Sequence, residues 1–309
     1  MEEFIQNYLK SNSFTYAKIE NQEILNHIYH LYKHDIDGRD TFKMEDNIID
    51  LYYGIYYKIK KDYDQMKKYY LMSIEKGNSK AMNNLGYYYQ YMEKDYDQMK
   101  KYYLMAIGNS HCGAMYNLGS YYQNVEKDYE QMKKYYLMSI EKGYGVAMSN
   151  LGFYYQTIEK DYEQMKKYYL MAIENNDSTA MNNLGFYYQH VEKDYNLMKK
   201  YYLMAIKNNH CKAMSNLGQY YETIEQNYNL MEKYYLMAID QGSKFPIDNL
   251  EKYYNNKNNT IGLINLYLKI NNKEKLNQLL IGISITSEIK KYFNCIENTE
   301  YNAIKKKLL

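Results

Sequence analysis

The sequence predicts an all-α solenoid of antiparallel helix pairs, and three observations carry that prediction. A "DY"-type start recurs at Asp62, Asp95, Asp128, Asp161, Asp194 and Asn227, each 33 residues after the last, a fixed period of the size that marks stacked supersecondary units. Inside each period the apolar spacing is helical twice over. No alternating, strand-like run competes with it in the repeats. Units this short bury their apolar faces only against neighbours, so repetition is itself the folding strategy.

The elements follow in order. Residues 1–47 carry a helical segment around Glu23–Tyr32 and are expected to cap the array or to serve as a docking segment. "NIIDLYYGIYYKIKK" reads as a degenerate repeat helix, and the regular array is expected over 48–259. One helix of each unit, here called B, has the form "DYDQMKKYYLMAI": Asp95 stands as N-cap with Gln98 three residues on, as in a capping box. Met99, Tyr103, Ala106 and Ile107 then fall at helical spacing. Just beyond the B helices stand Gly77, Ser110, Gly143, Asn176, Asn209 and Gly242. Five of these six are Gly or Asn, which tolerate the left-handed conformation that stops a helix. The other helix, A, runs from about Ala81 to Met92 in its first regular copy. The pattern fades from Pro246. Residues 260–309 hold a decayed copy, "IGLINLYLKI", followed by "KEKLNQLLIGI" and "SEIKKYFNCI", which read as capping helices.

Composition narrows the function classes. The 309 residues carry a net charge of +2 and are 46% hydrophobic, which argues against nonspecific attraction to nucleic acid or anionic membranes. No apolar run approaches the ~18–20 residues of a membrane span, and "MEEFIQNYLK" lacks the apolar core of a secretory signal. The 45 tyrosines, together with abundant Lys, Asn and Ile, match the codon bias of an AT-rich genome, such as that of a large DNA virus or an AT-rich protist. Cys112 and Cys211 sit at equivalent places three repeats apart. With roughly 8–10 Å per repeat they stand too far apart to pair, so free thiols in a reducing cytoplasm are expected.

"AMYNLGSYY" (Ala114 to Tyr122) followed by "DYEQMKKYYLMSIEKG" (Asp128 to Gly143) resembles the Sel-one-like repeat, a relative of the tetratricopeptide repeat. Ala114, Leu118, Gly119 and Tyr122 match that family's first helix; Tyr135 and Tyr136 match the aromatic pair of its second, and Ser139 its small residue. Met132 replaces the usual first Ala, and a tight "VEKDY" link replaces a longer Gly-containing loop. The resemblance implies a right-handed superhelix that scaffolds protein–protein contacts, with no chemistry of its own.

The repeats differ from one another in a pattern. The Ala81, Asn84, Leu85 and Gly86 columns are constant through five units. A glycine in mid-helix costs about 0.5–1 kcal/mol relative to Ala, so its recurrence implies a close helix approach. Variation concentrates in four columns that begin at Lys80, Asn83, Tyr87 and Tyr91, spaced 3, 4 and 4 residues apart and so lying on one helical stripe. By analogy with tetratricopeptide arrays the stripe lines a concave groove. The expected partner contacts are Lys80, Asn83, Tyr87, Tyr91, Tyr116, Phe153, Phe186, His190, Lys212 and Gln219, flanked by the near-constant amides Gln90, Gln123, Gln156 and Gln189. Aromatic anchors among amides suit an extended or helical protein segment. Drift of solvated positions is the competing reading, yet the exposed pair Lys67-Lys68 recurs unchanged in the next four units. A structural spacer, whose copies stack through their edges or the opposite face, is the alternative function.

Other sites are weaker. Asp64, Asp97, Glu130 and Glu163 stand four residues before the second lysine of each pair, which predicts i,i+4 ion pairs and a charge-balanced face. His27, His30 and His34 share a helical face but lack further ligands, and "DIDGRD" lacks the acid and glycine of a calcium loop. His111-Cys112 and His210-Cys211 offer two ligands each, too few for zinc. No phosphate loop, nucleophile elbow or paired-acid pocket is present, so no enzyme activity, metal or cofactor is expected. The constant Asn84 column is expected to partner buried tyrosine hydroxyls.

Overall fold

The computed structural model of the chain describes residues 46–282. The segments Glu23–Tyr32, His27/His30/His34, "DIDGRD" and "SEIKKYFNCI" lie outside them. Among the described residues there are fifteen α-helices and no strand, in two compact units that divide between Lys160 and Asp161. The first unit holds α1 (Asp46–Lys60), α2 (Tyr63–Glu75), α3 (Ser79–Tyr88), α4 (Tyr96–Gly108), α5 (Cys112–Tyr121), α6 (Tyr129–Glu141) and α7 (Val146–Tyr154). The second holds α8 (Tyr162–Glu174), α9 (Ser178–Tyr187), α10 (Tyr195–Lys207), α11 (Cys211–Thr223), α12 (Tyr228–Asp240), α13 (Pro246–Asn256), α14 (Thr260–Lys269) and α15 (Lys273–Gly282). In the regular repeats odd numbers from α3 to α11 are A helices and even numbers from α2 to α12 are B helices.

Each B helix starts where its N-cap places it. The carboxylates of Asp62, Asp95, Asp128 and Asp161 accept the backbone N–H of Gln65, Gln98, Gln131 and Gln164 at 3.0–3.1 Å. The capping box is half built, for a geometric reason. The Asp95 N–H, which a Gln side chain would serve, already donates to the Tyr89 carbonyl at 3.0 Å, and Asp128 repeats this with Tyr122 at 3.1 Å. The stops are as expected: Gly77, Ser110, Gly143, Asn176, Asn209 and Gly242 all have positive φ, from 57° to 84°.

The A helices depart from regular geometry at their ends. In four of them the last turn widens to a π turn, at Tyr89–Glu93, Tyr122–Glu126, Tyr155–Glu159 and Tyr188–Glu192. The next residue, Lys94, Lys127, Lys160 or Lys193, is left-handed with φ of 57–60°. The wide turn brings its glutamate back under the helix, where the Tyr88 hydroxyl donates to Glu93 at 2.9 Å and Tyr121 to Glu126 at 2.9 Å. It also lets the chain reverse within the two-residue Lys94-Asp95 link.

The constant glycines mark a notch-and-plug contact. A Cβ on Gly86 would stand 2.7 Å from Tyr103 Cδ1, and Gly119 and Gly185 meet Tyr136 and Tyr202 in the same way. The rings of Tyr70, Tyr103, Tyr136, Tyr169, Tyr202 and Tyr235 are fully buried beside Met66, Met99, Ala106, Leu85 and Leu118 and their equivalents. Burying such rings contributes about 1.5–3 kcal/mol each, provided that the hydroxyl finds a partner. In three repeats it donates to an A-helix glutamine: Tyr103 to Gln90 Oε1 at 2.7 Å, Tyr136 to Gln123 at 2.6 Å and Tyr202 to Gln189 at 2.8 Å. The Asn84 column serves the hydroxyls only in part, through Asn183 on Tyr169 at 3.4 Å and Asn249 on Tyr235 at 3.1 Å. At α13–α14 the roles exchange, with Tyr254 of α13 filling the notch at Gly262 of α14. In α1, buried Asp50 accepts from Lys76, the C-cap of α2, at 2.6 Å.

Candidate interaction face

The fold separates the expected contact residues into internal and external groups. Gln90 is buried and Gln123 and Gln189 are half-buried. Each is spent on a tyrosine hydroxyl, so their constancy has an internal cause. Gln156 is half-buried and also engaged within the molecule. Asn83 is buried and accepts from Asn117 of the next repeat at 3.0 Å; Tyr116 accepts from Asn150 at 2.9 Å, and Asn182 from Asn216 at 3.1 Å. That column reads Asn83, Tyr116, Ser149, Asn182, Ser215. It varies in size, but every member carries a side-chain oxygen, as an acceptor for a neighbouring repeat requires.

The residues turned outward are Lys80, Tyr91, Phe153, Phe186, His190 and Lys212, with Tyr87 and Gln219 half-buried. Three aromatic rings stand out: Tyr91 is 51% exposed, Phe153 48% and Phe186 44%. They belong to i,i+4 pairs along the A helices. Tyr87 and Tyr91 rings lie 4.2 Å apart, as do Phe186 and His190, while Thr157 donates to the Phe153 carbonyl at 2.8 Å. In the first unit Lys58 of α1 joins this face, its ammonium 5.4 Å from the Tyr87 ring centroid. Burial pushes Lys58 down to about 8. It escaped notice in the sequence because α1 is a degenerate repeat.

The lysine pair resolves into two lysines with different surroundings. The expected i,i+4 pairing with the second lysine does not form. The first lysine pairs instead, with the glutamate of the next π turn: Lys67–Glu93 at 3.0 Å, Lys100–Glu126 at 2.5 Å, Lys133–Glu159 at 3.1 Å and Lys166–Glu192 at 2.7 Å; Lys199 pairs likewise with Glu225, just past α11, which ends without a π turn. Its acid neighbour is at i−3, as in Lys133–Glu130 at 2.8 Å. The lysine hydrogen bond holds Glu126, Glu192 and Glu225 below the ordinary carboxylate range. Burial, then the glutamate, pushes the hydroxyls of Tyr154 and Tyr187 up to about 12. The second lysines, Lys68, Lys101, Lys134, Lys167 and Lys200, lie 5.1–5.7 Å from the ring of the tyrosine that follows.

The histidine–cysteine pairs have a structural use. His111 Nδ1 accepts the Ala114 N–H at 3.1 Å and His210 Nδ1 the Ala213 N–H at 3.3 Å, so both are helix N-caps. Burial lowers the pKa of each; Lys80 adds to this at His111 and Lys212 at His210, where Asp177 opposes it. Cys112 and Cys211 are free thiols. Among the described residues no group of three metal-binding side chains occurs, and no helix is long and apolar enough to cross a membrane.

No protein-family model and no curated protein matches the sequence. Solved structures do match. The crystal structure of a Sel1 repeat protein from Oxalobacter formigenes is 23% identical, covering 70% of this chain and 98% of that one with a TM-score of 0.55. The immunity protein Pa5087 from Pseudomonas aeruginosa is 19% identical over 72% of this chain and 83% of its own, with a TM-score of 0.44. The protective antigen c5321 of uropathogenic Escherichia coli, which displays an SLR fold, is 17% identical over 91% and 75%, with a TM-score of 0.35. The Oxalobacter likeness, the 33-residue helix pairs and the glycine notches agree: in fold, this chain is a Sel1-like repeat solenoid.

Proposed function

We propose that this chain is a non-enzymatic adaptor that holds a protein segment against the A-helix face of its repeats. The observation that carries the reading is the set of half-exposed rings at Tyr91, Phe153 and Phe186, in columns where the repeats differ and where the polar members, Asn124, Thr157 and Thr223, bond only within their own helix. Solvated positions free of any partner favour polar side chains, whereas aromatic rings on a rigid helix face supply contact area at small entropic cost. Lys80, His190 and Lys212 flank the rings and set polarity without supplying a reaction. The free thiols at Cys112 and Cys211 fit a reducing intracellular compartment.

The test is a quantitative pull-down from source-cell lysate with the full chain and with a Tyr91→Ser, Phe153→Ser, Phe186→Ser variant. Circular dichroism establishes that the variant keeps its helix content. The variant is expected to lose a specific protein partner at least tenfold, about 1.4 kcal/mol. An unchanged partner list refutes the reading.

A further inference from the structure

The opposite, B-helix face poses a different puzzle. Its first lysine is constant because it pairs with the π-turn glutamate. No ion pair of that kind covers Lys68, whose column lies only beside the ring of the next tyrosine, or Leu71, and both columns are also constant: Leu71, Leu104, Leu137, Leu170, Leu203 and Leu236 are all leucine. In the first unit these leucines are solvated, Leu71 by 41%, Leu104 by 49% and Leu137 by 40%. Among the described residues, Lys68 and Lys134 have no carboxylate partner, nor Glu75 and Glu141 an ammonium. The A-helix stripe drifted over the same duplications, so mere exposure does not preserve a residue here.

The order of these side chains along each helix is informative. Lysine, leucine and acid stand at i−3, i and i+4, as Lys68, Leu71, Glu75 in α2 and Lys134, Leu137, Glu141 in α6. These offsets lie on one helical face. An antiparallel copy of such a row is its own complement: leucine meets leucine, lysine meets acid and acid meets lysine. In α4, between the two, the acid position is Gly108, with open space where a Cβ would stand. The second unit is less suited, because Asp240 is already paired with Lys269 and α10 carries Lys207 at the acid position.

We propose that the B-helix face of the first unit binds the same face of a second copy of this chain, in a two-fold contact centred on α4. The axis runs across the helices, so Leu71, Leu104 and Leu137 each pack on their own counterparts in the other copy. Lys68 meets Glu75 of the other copy and Lys134 meets Glu141, twice each by symmetry. The apolar rows are narrow, so the dissociation constant is micromolar, and the ion pairs set orientation more than strength.

Sedimentation velocity on the full chain tests this. At about 100 μM, above a micromolar Kd, the mass is expected to approach twice the 37.4 kDa of one chain. Lys68→Glu/Lys134→Glu and Glu75→Lys/Glu141→Lys variants each place like charges in contact and are expected to be monomers. Mixed in equal amounts they regain all four ion pairs and the dimer, which also shows that both are folded. A wild-type monomer at that concentration overturns the proposal. So does self-association of either variant alone, or a mixture that stays monomeric.

Discussion

Substituting Gly119 by Ala tests the notch-and-plug contact that recurs at Gly54, Gly86, Gly119, Gly185 and Gly218. The new Cβ would stand 2.7 Å from Tyr136 Cδ1, 2.9 Å from Cε1 and 3.4 Å from the Met132 carbonyl oxygen. The ring must therefore retreat by about 0.7 Å to reach ordinary contact, in a core where such overpacking costs about 1–3 kcal/mol. It has little room, being fully buried and tied at 2.6 Å to Gln123; loosening that bond costs up to about 1 kcal/mol more. Helix propensity opposes these terms, returning about 0.5–1 kcal/mol when Ala replaces Gly. The expected net loss is about 1–3 kcal/mol, read as an earlier midpoint in urea unfolding followed by circular dichroism. Gly108, with nothing within 4 Å of its Cβ position, is the control, and Gly108→Ala should be neutral or stabilising. In a Tyr136→Leu background, Gly119→Ala should also lose most of its cost. If Gly119→Ala stabilises the wild-type chain as Gly108→Ala does, the contact is not what keeps the glycine.

Two further expectations concern caps and stops. Because burial depresses the pKa of His111 and His210, the unfolded chain takes up protons near 6.5 that the folded chain refuses; their contribution is present above that pH and is lost as pH falls through it. The melting temperature should drop between about pH 7 and about pH 5, and a His111→Asn/His210→Asn variant should drop much less, keeping caps worth about 1 kcal/mol each. Asn78 already caps α3 in this way; equal drops in the two chains would refute the account. Lys94 and Lys127 occupy the left-handed region at φ of 57° and 58°, so Lys94→Gly/Lys127→Gly should raise stability by about 0.5–1 kcal/mol per site. A fall in the urea midpoint would show that their side chains matter more than their backbone.

Periodic features of the molecule were readable in the sequence, and features that depend on which neighbour a side chain reaches were not. Asp62 and Gly77 announce a start and a stop because capping and left-handed geometry are local properties of residue type. Gly86 announced a close approach, though not that Tyr103 makes it. The π turns had no readable signal, since one extra residue in a hydrogen-bonded ring leaves the apolar period nearly intact. They move Glu93 within reach of Lys67, which is why the lysine partner was misassigned to the nearer i,i+4 acid. Gln90 looked like a groove residue because its constancy and its position beside a variable stripe are the marks of an external contact. An internal hydrogen bond to a residue thirteen positions away leaves the same marks. Tyr91, Phe153 and Phe186 are exposed, as the variable stripe suggests, with ring contacts among the described residues only along their own helices, Tyr91 to Tyr87 and Phe186 to His190.

The two kinds of bond that hold the repeats have a mechanical consequence. Inside a hairpin, such as α3 with α4, the ring of Tyr103 sits in a notch and is pinned by a buried hydrogen bond, a joint with almost no give. From one hairpin to the next, part of the load passes through Lys67–Glu93 and its equivalents, about one-third exposed at either end, together with single side-chain amide bonds. Exposed pairs of this kind weaken as ions are added, with a screening length of about 8 Å at physiological ionic strength. In the first unit a single buried core runs through α1–α6 beneath these pairs. Added salt therefore loosens only the outer layer of the joint between hairpins and leaves the core and the notches alone.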